Sequence, residues 1–164
     1  MKDLPTRKSA RLHDFDYRGN RCYFITICVK DKHEMLGTIG EASAMVLSRY
    51  GLVVRCAVDA ISTHYAHASV DSYVIMPNHV HMLLRLNHGR QVAAPTREPA
   101  DVSTIIGQMK RHVSMEIGFP LWQKSFHDHI VRNHEDYARI AHYINTNPQN
   151  WLDDCYYNID EHRV

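Results

Sequence analysis

Residues 73–86 read Tyr-Val-Ile-Met-Pro-Asn-His-Val-His-Met-Leu-Leu-Arg-Leu, two apolar runs on either side of a Pro-Asn pair. Runs of β-branched and aliphatic residues favour strands, and Pro-Asn is typical of a tight turn. We therefore predict two paired strands joined at Pro77-Asn78. Because successive side chains of a strand point to opposite faces, His79 and His81 are expected on one face. Imidazole is a common metal ligand, so this pair is a candidate half of a metal site.

The other regular segments flank this unit. Asn133 can cap the last helix and Pro148 stops it. The order β-α-β-β-α-β plus a C-terminal helix predicts an α+β, ferredoxin-like antiparallel sheet with helices on one face. The predicted segments are strands at Tyr23–Cys28, Ala68–Met76, His79–Leu86 and Trp122–Arg132, and helices at Glu41–Thr63, Asp101–Ile117 and about His134–Asn147.

Length and composition predict one domain over residues 1–164. The chain is 45% hydrophobic, which suffices for one core. It contains no apolar run of membrane-spanning length and no apolar leader, so we expect a cytoplasmic protein. Its four cysteines have no metal-ribbon spacing, so we expect reduced thiols. Within the domain we distinguish a basic arm (1–20), a loop (87–100) and an acidic tail (152–164).

The formal net charge is only +1, but the charges are segregated along the chain. Residues 1–32 carry eight Lys or Arg and four acids (+4), whereas residues 101–164 carry six and nine (−3). A basic arm with interleaved aromatic residues is typical of segments that bind single-stranded nucleic acid, because cations bind phosphates and aromatic rings stack on bases. We therefore expect Arg7, Lys8 and Arg11 to contact phosphates and the acidic tail to lie away from nucleic acid.

Two motifs resemble those of a known family. Ile-Met-Pro-Asn-His-Val-His-Met-Leu (75–83) and Tyr-Ile-Asn-Thr-Asn-Pro (143–148) resemble the histidine-hydrophobic-histidine (HUH) strand and the catalytic helix of single-tyrosine HUH transposases, in particular the REP-associated tyrosine transposases. The resemblance implies that Tyr143 is the nucleophile and that His79, His81 and Asn147 hold Mg²⁺ or Mn²⁺. It also implies nicking and rejoining of single-stranded hairpin DNA through a covalent 5′-phosphotyrosine intermediate.

The spacing within the second motif agrees with a shared site, because residues four apart lie on one helix face. Lys110 and Arg111, on the helix predicted at 101–117, are further candidate DNA contacts, and the family carries a Lys near this point. Three alternatives stay open: a non-cleaving hairpin-DNA-binding module, a metal-dependent phosphodiesterase without a covalent intermediate, and a rival metal pair at His127 and His129. Both a monomer and a homodimer fit the sequence.

Overall fold

The computed structural model describes residues 21–87 and 99–157, which form six strands and four α-helices. Short 3-10 helices lie at Lys30–Lys32, Glu41–Ser43 and Asn147–Asp153. The strands are β1 (Arg21–Cys28), β2 (Gly37–Ile39), β3 (Met45–Leu47), β4 (Ala68–Ile75), β5 (His79–Leu86) and β6 (His127–Ile130). The α-helices are α1 (Arg49–Asp59), α2 (Ile61–His64), α3 (Val102–Ile117) and α4 (His134–Thr146).

The main sheet has the strand order β4-β5-β1-β6, and all its neighbours are antiparallel. Strand β5 lies between β4 and β1, so the strand that carries both motif histidines is a central strand. This order confirms the ferredoxin-like arrangement. β2 and β3 form a separate two-stranded sheet between β1 and α1.

The sheet buries both of its faces. Helices α1 and α3 cover one face over the main core, which includes Val80, Met82 and Leu84 of β5. Helix α4 covers the opposite face, where Ile140 and Ile144 pack against Leu83 and Cys22 in a second cluster. Because β5 alternates, Val80, Met82 and Leu84 serve the main core, whereas the two histidines and Leu83 lie on the α4 face.

Two segment predictions were wrong in extent. The helix expected over Glu41–Thr63 begins only at Arg49, because the Ser48 side chain accepts hydrogen bonds from the first helical amides and the preceding residues pair as β2 and β3. The last strand is β6 alone, although Trp122 makes an isolated bridge to Val29. The strand expected over Trp122–Arg132 therefore covers a loop and four paired residues.

The last two helices are confirmed almost to the residue. Asp101 caps α3, Gly118 ends it in the left-handed conformation, and Asn133 caps α4 through its side chain. All four cysteines are free thiols, as expected. Within the described ranges, no helix has both the length and the apolarity needed to cross a membrane.

Gly51 shows how closely α1 approaches the rest of the chain. A Cβ at this position would lie 2.1 Å from the Leu36 carbonyl oxygen, a backbone atom that cannot move aside cheaply. Gly107, in the middle of α3, has nothing within 4 Å of the corresponding point. The same chemical change at these two helical glycines should therefore have opposite effects.

We predict that Gly51→Ala lowers the free energy of unfolding by about 2 kcal/mol or more, because the clash outweighs the gain in helix propensity. Gly107→Ala should raise it by about 0.5–1 kcal/mol, the usual helix preference for Ala. Urea unfolding of both variants beside the wild type measures the difference. Stabilisation by Gly51→Ala would contradict the close approach.

Candidate active site

The two motif histidines lie under α4 because of the pairing between β1 and β5. The register sets His79 opposite Cys28 and His81 opposite Thr26. Both imidazoles are buried, at 0% and 1% exposure, and their ring centroids are 4.4 Å apart. A buried polar group needs a partner or a ligand, so the bonds of each nitrogen matter.

His79 has one partnered nitrogen and one free nitrogen. Its Nδ1 lies 2.9 Å from Oδ1 of Asn78, whose amide nitrogen donates to the carbonyls of Lys32 and Tyr156. An amide oxygen only accepts, so the His79 Nδ1 carries the proton and donates it. The Nε2 atom of this neutral imidazole then carries a lone pair. In the structure, this atom is buried without a hydrogen-bond partner. Asn78 thus fixes the tautomer that a metal ligand requires.

His81 is held from the neighbouring strand. Its Nδ1 is 2.8 Å from the Thr26 hydroxyl oxygen, which lies directly opposite in the sheet. Its Nε2 lies 3.3 Å from the hydroxyl oxygen of Tyr143. The Phe24 ring packs beside both of these side chains, with centroid distances of 5.1 Å to His81 and 6.1 Å to Tyr143.

Helix α4 and the residue that follows it bring Tyr143 and Asn147 to the same place. Burial of Ile140 and Ile144 against the sheet fixes the rotation of the helix. Tyr143 is 38% exposed, so its ring lies at the mouth of the site, whereas Asn147 is 1% exposed. The Asn147 amide nitrogen donates to Asp154 at 2.8 Å, and its Oδ1 is buried without a partner.

One residue of the acidic tail, Asp154, lies at the candidate site, although the sequence pattern predicted no role for it there. Its Oδ2 accepts hydrogen bonds from the Tyr143 hydroxyl at 3.3 Å and from Asn147. The tail folds back against the site because Trp151 is buried and the Tyr156 ring packs on the His79 ring, with centroids 4.5 Å apart. The aromatic residues on either side of Asp154 could have indicated from the sequence that this segment packs against the domain, because large aromatic side chains are usually buried.

A divalent metal fits the donors that meet here. One donor atom from each of His79, His81 and Asp154 lies within 4.8 Å of the others, and this is the one such group among residues 21–87 and 99–157. The orphaned Nε2 of His79 and Oδ1 of Asn147 add two buried acceptors without partners. Imidazole, carboxylate and amide oxygen are all ligands of divalent ions, so this cluster can hold one.

Burial favours the neutral forms of His79, His81 and Tyr143. It lowers the pKa of His79 well below the ordinary value, and it lowers that of His81 to about 4 against an opposing pull from Asp154. Burial and the nearby Asp154 carboxylate together raise the pKa of the Tyr143 hydroxyl. At neutral pH both imidazoles are therefore ready to ligate, whereas the tyrosine keeps its proton.

The other residues singled out from the sequence lie elsewhere. His127 and His129 are exposed on β6, and His129 Nε2 is 2.9 Å from the carboxylate of Asp136, so this rival pair joins no metal-binding group of the described chain. The Lys110 ammonium donates to the carbonyls of residues 123 and 124, and Arg111 is exposed. Arg7, Lys8 and Arg11 lie outside the described residues.

Comparison with known proteins gives three informative matches. An uncharacterized protein of Haemophilus influenzae is 30% identical over 168 residues, 92% of this chain and 93% of that protein. A second protein of that organism, named "Putative REP-associated tyrosine transposase", is 24% identical over 139 residues, 81% of this chain and 73% of that protein. The solved "Structure of the REP associates tyrosine transposase bound to a REP hairpin" has a TM-score of 0.65 at 20% identity, covering 86% and 74% of the two chains. No protein-family model matches the chain.

The fold of the chain is that of the solved transposase. On this fold, the histidine pair of β5 lies beside the tyrosine of α4, with 3.3 Å between Nε2 of His81 and the Tyr143 hydroxyl oxygen. In sequence and in fold the chain is similar to REP-associated tyrosine transposases.

The buried state of His81 makes stability depend on pH. The unfolded imidazole takes up a proton near pH 6.5, but the folded one does so only near pH 4. The contribution of the neutral His81 side chain to the free energy of unfolding is therefore complete above pH 6.5 and is lost as the pH falls toward 4. About 2 kcal/mol of this stability is lost by pH 5. Urea unfolding in EDTA at pH 8 and pH 5 should show this loss, and His81→Asn should shrink it.

His127→Asn is the control, because it removes an imidazole from the surface. It should keep the wild-type loss between pH 8 and pH 5. An equal pH dependence in His81→Asn and the wild type would contradict the buried, neutral state of His81.

Proposed function

We propose that this protein is a metal-dependent enzyme that nicks and rejoins single-stranded hairpin DNA through a covalent 5′-phosphotyrosine intermediate. Tyr143 is the nucleophile, and His79, His81 and Asn147 hold Mg²⁺ or Mn²⁺. The observation that carries the proposal is the 3.3 Å separation between the Tyr143 hydroxyl oxygen and Nε2 of His81. A nucleophile beside a buried ligand set is the arrangement that transesterification at phosphorus requires.

The bonds exchanged in such a reaction balance without a cofactor. The Tyr143 oxygen forms a bond to phosphorus, the bond from phosphorus to the 3′ oxygen breaks, and the proton lost by the tyrosine is matched by one gained at the 3′ oxygen. One phosphodiester replaces another, so the reverse step rejoins the strand. The metal, when bound, polarises the scissile phosphate and neutralises the charge that develops on it.

The protein's own contribution to the reaction is to position the metal ligands and the nucleophile. His79 and His81 reach the site with fixed rings, because Asn78 and Thr26 hold their Nδ1 atoms. Tyr143 has a raised pKa and is a weak nucleophile by itself, so it depends on a polarised target more than on its own ionisation. All these side chains come together within one chain.

DNA recognition is assigned to the basic residues outside this centre. We propose phosphate contacts for Arg7, Lys8 and Arg11 of the N-terminal arm and for Lys110 and Arg111 of α3. Arg111 is exposed, and the Lys110 ammonium donates to two carbonyls. The relative of known structure is bound to a REP hairpin, which supports a hairpin substrate for this chain.

The first test detects the covalent intermediate. Purified protein is incubated with Mn²⁺ or Mg²⁺ and labelled single-stranded DNA that carries the hairpins flanking its gene, and a denaturing gel then separates any adduct. We expect an adduct that EDTA abolishes and that is lost in Tyr143→Phe and His81→Ala. Tyr137→Phe is the matched control, since Tyr137 lies on the same helix but bonds to Asp71, and it should retain the adduct.

Three outcomes would contradict the proposal in different ways. Cleavage without an adduct would indicate a phosphodiesterase that uses water. Tight hairpin binding with neither cut nor adduct would indicate a non-cleaving DNA-binding module. An adduct that survives Tyr143→Phe would assign the nucleophile to another residue.

The second test measures how the salt dependence of hairpin binding changes when the basic residues are replaced. Replacing Arg7, Lys8 and Arg11 by Ala should weaken hairpin binding and flatten the plot of log affinity against log salt by about 0.7–0.9 for each phosphate that is no longer neutralised. Arg111→Ala should flatten it by the amount expected for one phosphate. Arg55→Ala, an exposed Arg of α1, is the control and should leave the slope unchanged. Unchanged slopes in all variants would contradict the assigned phosphate contacts.

A further inference from the structure

The segment Trp151–Tyr157, here called the C-terminal strap, crosses the histidine pair. Trp151 is buried beside His79, with ring centroids 6.0 Å apart, and the Tyr156 ring packs on His79 from the strap's other end. The Tyr156 carbonyl accepts from the Asn78 side chain at 2.8 Å. The strap is thus anchored on both sides of Asp154.

Asp154 is held in a single orientation within this strap. Its Oδ1 accepts from the backbone amide of Tyr156 at 2.8 Å. Its Oδ2 is left to face α4, where it accepts from both Tyr143 and Asn147. One carboxylate oxygen therefore bonds to the candidate nucleophile and to the candidate amide ligand at the same time.

This bond decides which end of the Asn147 amide is free. A side-chain amide has a donor end and an acceptor end, and only the acceptor end can bind a cation. Because the Asn147 amide nitrogen donates to Asp154, the Asn147 Oδ1 is left without a partner, and this oxygen is buried. Without the carboxylate, the amide would lose the bond that keeps it from turning over.

We propose that Asp154 is a positioning residue, which rests on the proposed function: it orients the Asn147 amide so that Oδ1 is available to the metal, and it aligns the Tyr143 hydroxyl. Second contacts of this kind are worth about 10–100-fold in metal affinity. The role differs from direct ligation by Asp154. It predicts that the effect of Asp154 on metal binding passes through Asn147.

A double-mutant cycle on the DNA-free protein tests this. The Mn²⁺ affinity is measured by electron paramagnetic resonance titration for the wild type, Asp154→Ala, Asn147→Ala and the double variant. Asp154→Ala should weaken binding at least tenfold in the wild-type background and less than about threefold once Asn147 is gone, because coupled residues are not additive. Asp153→Asn, an exposed neighbour, is the control and should leave the affinity within about twofold of the wild type.

Several outcomes overturn the inference. Additive losses would mean that Asp154 binds the metal itself, and unchanged affinity in Asp154→Ala would mean that it has no role there. A lowered melting temperature in EDTA without coupling to Asn147 would indicate a merely structural residue. If Asp154→Ala does not fold, the nearly isosteric Asp154→Asn replaces it in the cycle.

The adduct assay separates this inference from the function on which it rests. If the wild type forms no adduct but the Mn²⁺ cycle shows coupling, the nicking chemistry is wrong and the positioning role stands. If the adduct forms in a Tyr143-dependent way and the cycle shows no coupling, only the positioning role is wrong. A wild type that binds no Mn²⁺ overturns both.

Discussion

The alternation of β5 between two buried faces is the constraint on which the site depends. Val80, Met82 and Leu84 enter the main core, so His79 and His81 must lie on the α4 face. A slip of one residue would bury the imidazoles among the aliphatic side chains of the main core and turn Val80, Met82 and Leu84 toward α4. The hydrophobic core therefore fixes the position of the histidines.

Burial of two imidazoles has its own cost, which the neighbouring residues reduce. Asn78 and Thr26 satisfy one nitrogen of each ring, whereas the second nitrogen of His79 has no partner. A polar atom left unpaired in this way costs about 1–3 kcal/mol, so the metal-free protein stores a free energy that ligand binding can release. The stability lost at low pH and the readiness to bind a cation thus have one physical origin.

The sequence predicted the local parts of this arrangement better than the distant ones. The turn at Pro77-Asn78, the bounds of α3 and α4, and the shared face of Tyr143 and Asn147 follow from short-range chemistry, and the structure contains these elements. The strands β2 and β3 were missed because a pairing of three residues leaves no periodicity. Asp154 was missed as a site residue because the tail was described by its charge alone, without the aromatic residues beside it, whose packing is a tertiary effect.

The order of the site residues along the chain also has a consequence for biosynthesis. Asp154 follows the histidines of β5 and both residues of α4, so a ribosome releases it after all of them. A nascent chain can pair its sheet and dock α4 while the Asn147 amide still lacks the carboxylate that turns it. The candidate site is therefore completed only after the segment that contains Asp154 has been synthesised, later than the sheet and the helix that it joins.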